Sequence, residues 1–244
     1  MRDESVRLCC ANGRAMSSPP LPAETGAALV WDWPVRVFHW VLATSIAVSF
    51  ATHYLGIEWF AWHRRAGYVA VVLIAFRLVW GLVGPRHSRF SSFVRGPRAV
   101  LDYVRGRSPR PEAGHNPVGA ISVLAFLVVV GAQATTGLFA NDEIANAGPF
   151  YGWVTQETSN RITGWHELGS NVLLGLIALH LLAIAWYDIV RRAGLVRTMW
   201  TGRRAAADGI ESSRGVLALA IIAVLAIALA LAVRAAPEAT ISFF

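Results

Sequence analysis

A lipid bilayer is a poor solvent for an imidazole ring, so a histidine inside an apolar run calls for a partner. The 244-residue chain carries seven histidines. His87 and His115 fall in an arginine-rich connecting segment and are expected to be solvated loop residues. His39, His53, His63, His166 and His180 lie in or at apolar runs. His166 and His180 are 14 residues apart. That is close to four helical turns, so the two project from one face about 21 Å apart along the axis. One helix then offers a ligand to each leaflet, which is what two stacked haems require.

Ligands from other helices must match these two in depth. His39 stands near the start of one apolar run and matches His180; His63 stands near the start of the next and matches His166. Iron held by two axial imidazoles is six-coordinate and suited to electron transfer. Sites of this kind are built between facing helices of a bundle. His53 is also 14 residues from His39 and competes with His63 for the outer position; spacing leaves both open. Gly67, Ala43 and Gly169 share helix faces with the histidines and would leave room for a porphyrin edge. Histidines that merely hydrogen-bond a neighbouring helix are the plainer alternative, and four at paired depths weigh against it. A zinc or copper site is disfavoured, because the pairs are too far apart for one metal and no thiolate or carboxylate completes a set.

The elements that would position these residues are membrane helices. The chain is 55% hydrophobic and only 15% charged, against roughly 25% charged in soluble domains. Five runs approach the ~20 residues a span needs: Val35–Leu55, Ala61–Val83, Pro117–Phe139, Trp165–Val190 and Gly215–Val233. The expected fold is an all-α integral membrane protein. Its first four spans form a haem-holding bundle, and a fifth, purely aliphatic helix serves as a lipid-facing or packing element. Residues 1–30 read as a polar leader expected to be disordered, 31–204 as the di-haem domain, and 205–244 as linker, fifth helix and short external tail. The adjacent Cys9 and Cys10 have no thiol partners elsewhere, and Met16 is an alternative start. The absence of a C-x-x-C-H motif excludes covalent haem attachment.

The formal charge is +7, and every cation is arginine. The arginines cluster between spans two and three (Arg86 to Arg110) and between four and five (Arg191 to Arg214), whereas the third-to-fourth link carries Asp142, Glu143 and Glu157. This bias puts the N-terminus and both arginine-rich loops in the cytoplasm and the C-terminus outside. It also explains the basic charge without nucleic acid, for which no recognition motif exists.

The runs Trp31–Trp40 (WDWPVRVFHW) and Trp62–Tyr68 (WHRRAGY) resemble the bacterial cytochrome b-561 family, which includes the b-type cytochrome subunits of nickel–iron hydrogenases. So do Arg77–Phe90, Gly114–Gly119, Gln133–Phe139, Thr163–Leu168 and the stretch around His180. The resemblance covers most of residues 30–204. It implies two non-covalent haems b ligated by His39, His63, His166 and His180, with His53 a non-ligand. Arg36 and Arg77 become candidates to pair with haem propionates. The resemblance further implies a multi-pass protein of the bacterial inner membrane. Electrons would pass between the quinone pool and an external redox protein, a hydrogenase or a cytochrome c. A homo-oligomer is compatible with it. The competing expectations are a self-contained quinone-linked oxidoreductase acting on a small external species such as superoxide, and a cofactor-free anchor.

Overall fold

The computed structural model describes residues 27–107, 114–144, 146–205 and 209–237. The leader with Cys9, Cys10 and Met16, and Arg110, lie outside the described residues. The elements run β1 (Ala27–Leu29), α1 (Trp33–Leu55), α2 (Phe60–Val83), α3 (Phe90–Phe93), α4 (Pro97–Val104), α5 (Pro117–Gly137), α6 (Gln156–Ala185), α7 (Leu195–Thr201), β2 (Arg203–Ala205) and α8 (Gly215–Ala235). The helices α1, α2, α5, α6 and α8 anchor five segments long and apolar enough to cross a membrane.

The chain chemistry explains where these helices begin and end. Asp32 caps α1 by accepting a hydrogen bond from the Val35 amide at 2.8 Å, with a proline in the first turn. Asn116 caps α5 in the same way, accepting from the Gly119 amide at 2.7 Å ahead of Pro117. These side chains satisfy amides that the helix itself leaves unpaired. Helix α1 stops at Gly56, whose φ of +105° is a conformation that a side chain would oppose.

Helix α6 begins at Gln156, well before the expected start at Trp165. Thr155 caps it, and Arg161 pairs with Glu157 one turn apart at 2.6 Å. Hydrophobic periodicity misses these turns because they are polar, yet capping and side-chain pairing make them helical. At the other end α6 runs into a π-helical turn, Trp186–Val190.

Helix α1 packs along α2, α5 along α6, and α2 against α5. A buried cluster at their centre joins Leu42, Ala70, Leu73, Ile74, Leu127, Val130 and Leu173. Helix α6 meets α5 more extensively than α1 or α2, and its Leu173 enters the central cluster with Leu42 of α1 and Ala70, Leu73 and Ile74 of α2. Helix α8 packs chiefly on α2. Its Ala218 is fully buried beside Phe76 and Trp80, with Ile221, Ile222 and Leu225 around it. The fifth span is therefore a packing helix on this face, while Val216, Val224 and Ile227 stay exposed on others. Strands β1 and β2 pair antiparallel. The Val30 and Trp31 amides both donate to the Gly202 carbonyl, at 2.8 and 3.1 Å, so the entry to α1 is fastened to the segment after α7.

Candidate functional site

Helix α6 presents His166, Leu173 and His180 at seven-residue intervals, one helix face. Leu173 is only 3% exposed and plugs the central cluster. The two histidines are half-buried, one on either side of it along the helix.

At the end holding the α5–α6 link, the His63 and His166 rings meet with centroids 6.2 Å apart and planes at 77°. Metal–imidazole bonds of about 2 Å would set the centres of two opposed rings roughly 6 Å apart. Each ring is also held from behind. His63 Nδ1 lies 2.9 Å from the Ser49 carbonyl, and His166 Nδ1 lies 3.0 Å from the Gln133 carbonyl, with Thr136 Oγ1 at 3.2 Å. A carbonyl can only accept, so Nδ1 carries the proton and Nε2 keeps its lone pair. A carbonyl behind a metal-binding histidine fixes tautomer and ring angle in just this way.

Gln133 ties α5 to α6 a second time, donating from Nε2 to the His166 carbonyl at 2.9 Å. Gly137 allows the close approach of α5, since a Cβ there would lie 2.9 Å from His166 Cε1. Ser49, Gln133, Thr136 and Gly137 were not singled out as site residues from the sequence. The available signal was their polar or small character inside apolar spans.

At the opposite end His39 and His180 lie within electrostatic reach of one another. His180 meets the Phe126 ring edge-on at 5.1 Å, and His39 meets Trp40 at 5.0 Å. His39 Nδ1 is buried with no hydrogen-bond partner among the described residues. The two ends thus differ: the His63 and His166 rings are anchored to carbonyls, whereas His39 is held by packing.

His53 is exposed near the end of α1, with its ring 6.5 Å from that of His63. It lines a cavity of about 240 Å³ with Thr52, Phe60, His63, Asp142 and Asn146. Of the small residues, a Cβ on Gly67 would meet nothing within 4 Å, so its flank is open, and Ala43 is exposed. Gly169 differs from expectation: a Cβ there would collide with Gln133 Oε1. Its missing side chain makes room for Gln133.

Arg36 donates from Nη1 to the Trp200 carbonyl at 2.5 Å, and its Nε is buried without a partner among the described residues. Arg77 is 3% exposed and lies over the Phe90 and Phe93 rings at 5.0 and 5.8 Å. The fully buried Asp32, which also accepts from the Ser88 hydroxyl, supplies the opposing charge. Arg77 Nη1 likewise has no partner among the described residues. Spare donors on both arginines suit a carboxylate ligand.

His115 corrects the expectation of a solvated loop residue. Its ring is enclosed between Trp31 at 4.5 Å and Phe93 at 4.8 Å. Burial first, then the charges of Arg77 and His87, push its pKa down to about 3. It is a neutral packing element that closes the arginine-rich end.

Two imidazole pairs in a helical membrane bundle, one of them with each Nδ1 on a backbone carbonyl, are side chains that suit a haem-binding protein. The profile of the prokaryotic cytochrome b561 family matches residues 30–202, and the chain belongs to that family. It is accordingly a multi-pass membrane b-type cytochrome, an electron-transfer protein that holds haem b. Its relatives include the "probable Ni/Fe-hydrogenase B-type cytochrome subunit" of Azotobacter chroococcum, 30% identical over 73% of this chain and 88% of that one. A protein of the same description from Bradyrhizobium diazoefficiens is 29% identical over 72% and 85%. The "probable Ni/Fe-hydrogenase 1 B-type cytochrome subunit" of Escherichia coli K12 is 24% identical over 76% and 94%. No solved structure gives a significant match.

Proposed function

We propose that the chain carries two haems b, one between His63 and His166 and one between His39 and His180, and conducts electrons across the membrane. Each haem would supply reversible one-electron transfer. The observation that carries this reading is the outer pair: two facing rings at 6.2 Å, each with Nδ1 tied to a carbonyl. The open flank of Gly67 supports it. Arg36 and Arg77 would bind propionates.

The electron partners follow from chemistry and kinship. Relatives described as hydrogenase cytochrome subunits favour a nickel–iron hydrogenase as the external redox protein over a cytochrome c. The quinone pool is the membrane-side partner. The chain would sit in the bacterial inner membrane, and the arginine bias supports an N-terminus in the cytoplasm. The cavity beside His53 and His63 favours one second reading: direct reaction of a small external species such as superoxide, with quinone as acceptor. Turnover by the isolated chain would distinguish it.

The primary test is a reduced-minus-oxidised visible spectrum with a haem-to-protein ratio. Wild type should give a b-type band at two haems per chain. His63→Ala should halve it and His53→Ala should spare it. The reverse pattern would move the outer ligand to His53, and a colourless wild type would refute the proposal.

A further inference from the structure

Two short helices at the arginine-rich end contribute little to the core. Helix α4 has no buried residue. Its Arg98, Leu101 and Arg105 recur at three- and four-residue spacing and so share one face; Leu101 is 46% exposed, and Val104 beside it is 67% exposed. On α7, Val196 and Trp200 share a face and are 49% and 69% exposed, with Arg197 next to them. An apolar strip flanked by arginine is a poor surface for water alone and a good one for a headgroup layer.

Their depth supports the same occupant. The Tyr103 hydroxyl of α4 lies 3.2 Å from that of Tyr187, in the last turn of the α6 span. The Trp200 ring of α7 packs on Trp40, in the second turn of α1, at 5.6 Å. Arg36 in the first turn of α1 holds the Trp200 carbonyl. Both helices are therefore pinned level with span ends, where lipid headgroups begin. Tryptophan is favoured at that level. Among the described residues, the salt bridge present joins Arg161 to Glu157, both on α6 and remote from these helices. Arg98, Arg105 and Arg197 are left for an external anion.

We infer that the exposed faces of α4 and α7 make the arginine-rich end a surface for anionic phospholipid headgroups, held by Arg98 and Arg105 at α4 and separately by Arg197 on α7, while Leu101, Val196 and Trp200 enter the acyl boundary. This surface is independent of haem ligation. An arginine near an anionic leaflet contributes about fivefold in affinity, so Arg98 and Arg105 together should contribute about twentyfold at α4 and Arg197 about fivefold at α7.

The test uses the full chain, purified in a neutral detergent with its haem. It is titrated with phosphatidylglycerol and separately with phosphatidylcholine, and retained lipid is counted by native mass spectrometry. Preferential retention of phosphatidylglycerol is expected, weakened at least tenfold in R98Q/R105Q/R197Q while the haem band stays intact. Should that variant lose its haem band, the wild type at 1 M salt serves instead. Screening is then effective beyond about 3 Å, and the preference should collapse. Equal retention of the two lipids, a preference that survives both the substitutions and high salt, or displacement of the lipid by equimolar inorganic phosphate would overturn the proposal. The haem band reports separately on the electron-transfer reading.

Discussion

A backbone carbonyl behind each outer histidine does two things at once. It fixes which nitrogen is protonated, and it stops ring rotation that would cost ligation geometry. Such outer partners matter 10–100-fold for metal affinity in general. Gly67 lies one turn from His63 with nothing in front of it. Gly67→Leu should therefore reduce bound haem by about one per chain and leave the helical fold intact, as read by haem-to-protein ratio and far-UV circular dichroism. A full haem complement in that variant would show that the flank faces lipid, not porphyrin.

His115 gives a pH prediction at the same scale. Its folded pKa of about 3 lies below the ordinary 6.5 of an unfolded histidine. Between those values the unfolded chain binds the proton and the folded chain does not, so stability rises with pH across the window and is complete above it. On acidification from pH 7 to pH 5, its share of the loss should be ~2 kcal/mol. The His115→Phe variant should lack that increment in thermal unfolding followed by circular dichroism. Equal pH dependence in variant and wild type would show that the ring is accessible to protons.

At the scale of elements, α6 is the ruler of the site. Its His166, Leu173 and His180 work only while they share a face. Two alanines inserted after Leu173 would turn the following residues by about 200° and advance them about 3 Å. His180 would then turn away from His39 while His166 stayed opposite His63, so on the proposed assignment one haem site is lost. The expected spectrum is that of one remaining haem, with loss of the second b-type component in a redox titration. Two surviving haems would mean that another residue ligates the inner iron. The helix's polar first turns have a role of their own. Ser159 donates to the Phe139 carbonyl at 2.6 Å and accepts from Asn141 at the same distance. The α5–α6 link is thereby held over the outer end.

At the scale of the whole molecule, charge orients the bundle. Both arginine-rich segments lie at one end, joined there by β1–β2 pairing and by the Asp32, Arg77 and His115 assembly. A periplasm-dependent reporter such as alkaline phosphatase should be active when fused after Phe244 and inactive when fused within residues 86–107. The opposite pattern would invert the membrane orientation and place the His63–His166 pair on the cytoplasmic side.

Much of this organisation can be read along the chain. Span number follows from runs of apolar residues, because lipid demands about 20 of them per crossing. That His166 and His180, 14 residues apart, share a face at two depths follows from helix geometry alone. Periodicity is blind, however, to what faces a residue from another helix. It could not separate His53 from His63, since His53 keeps the 14-residue spacing from His39 and both fall at the same end of their spans. Only the packing sets the His63 ring opposite His166 with its Nδ1 on the Ser49 carbonyl. Nor could sequence distance foretell that Trp31 and Phe93 would enclose His115, or that Gly169 makes room for Gln133. Helix existence is a local property of composition and spacing. The partner of a side chain depends on the rotation and close approach of helices far apart in sequence, which only the assembled bundle specifies.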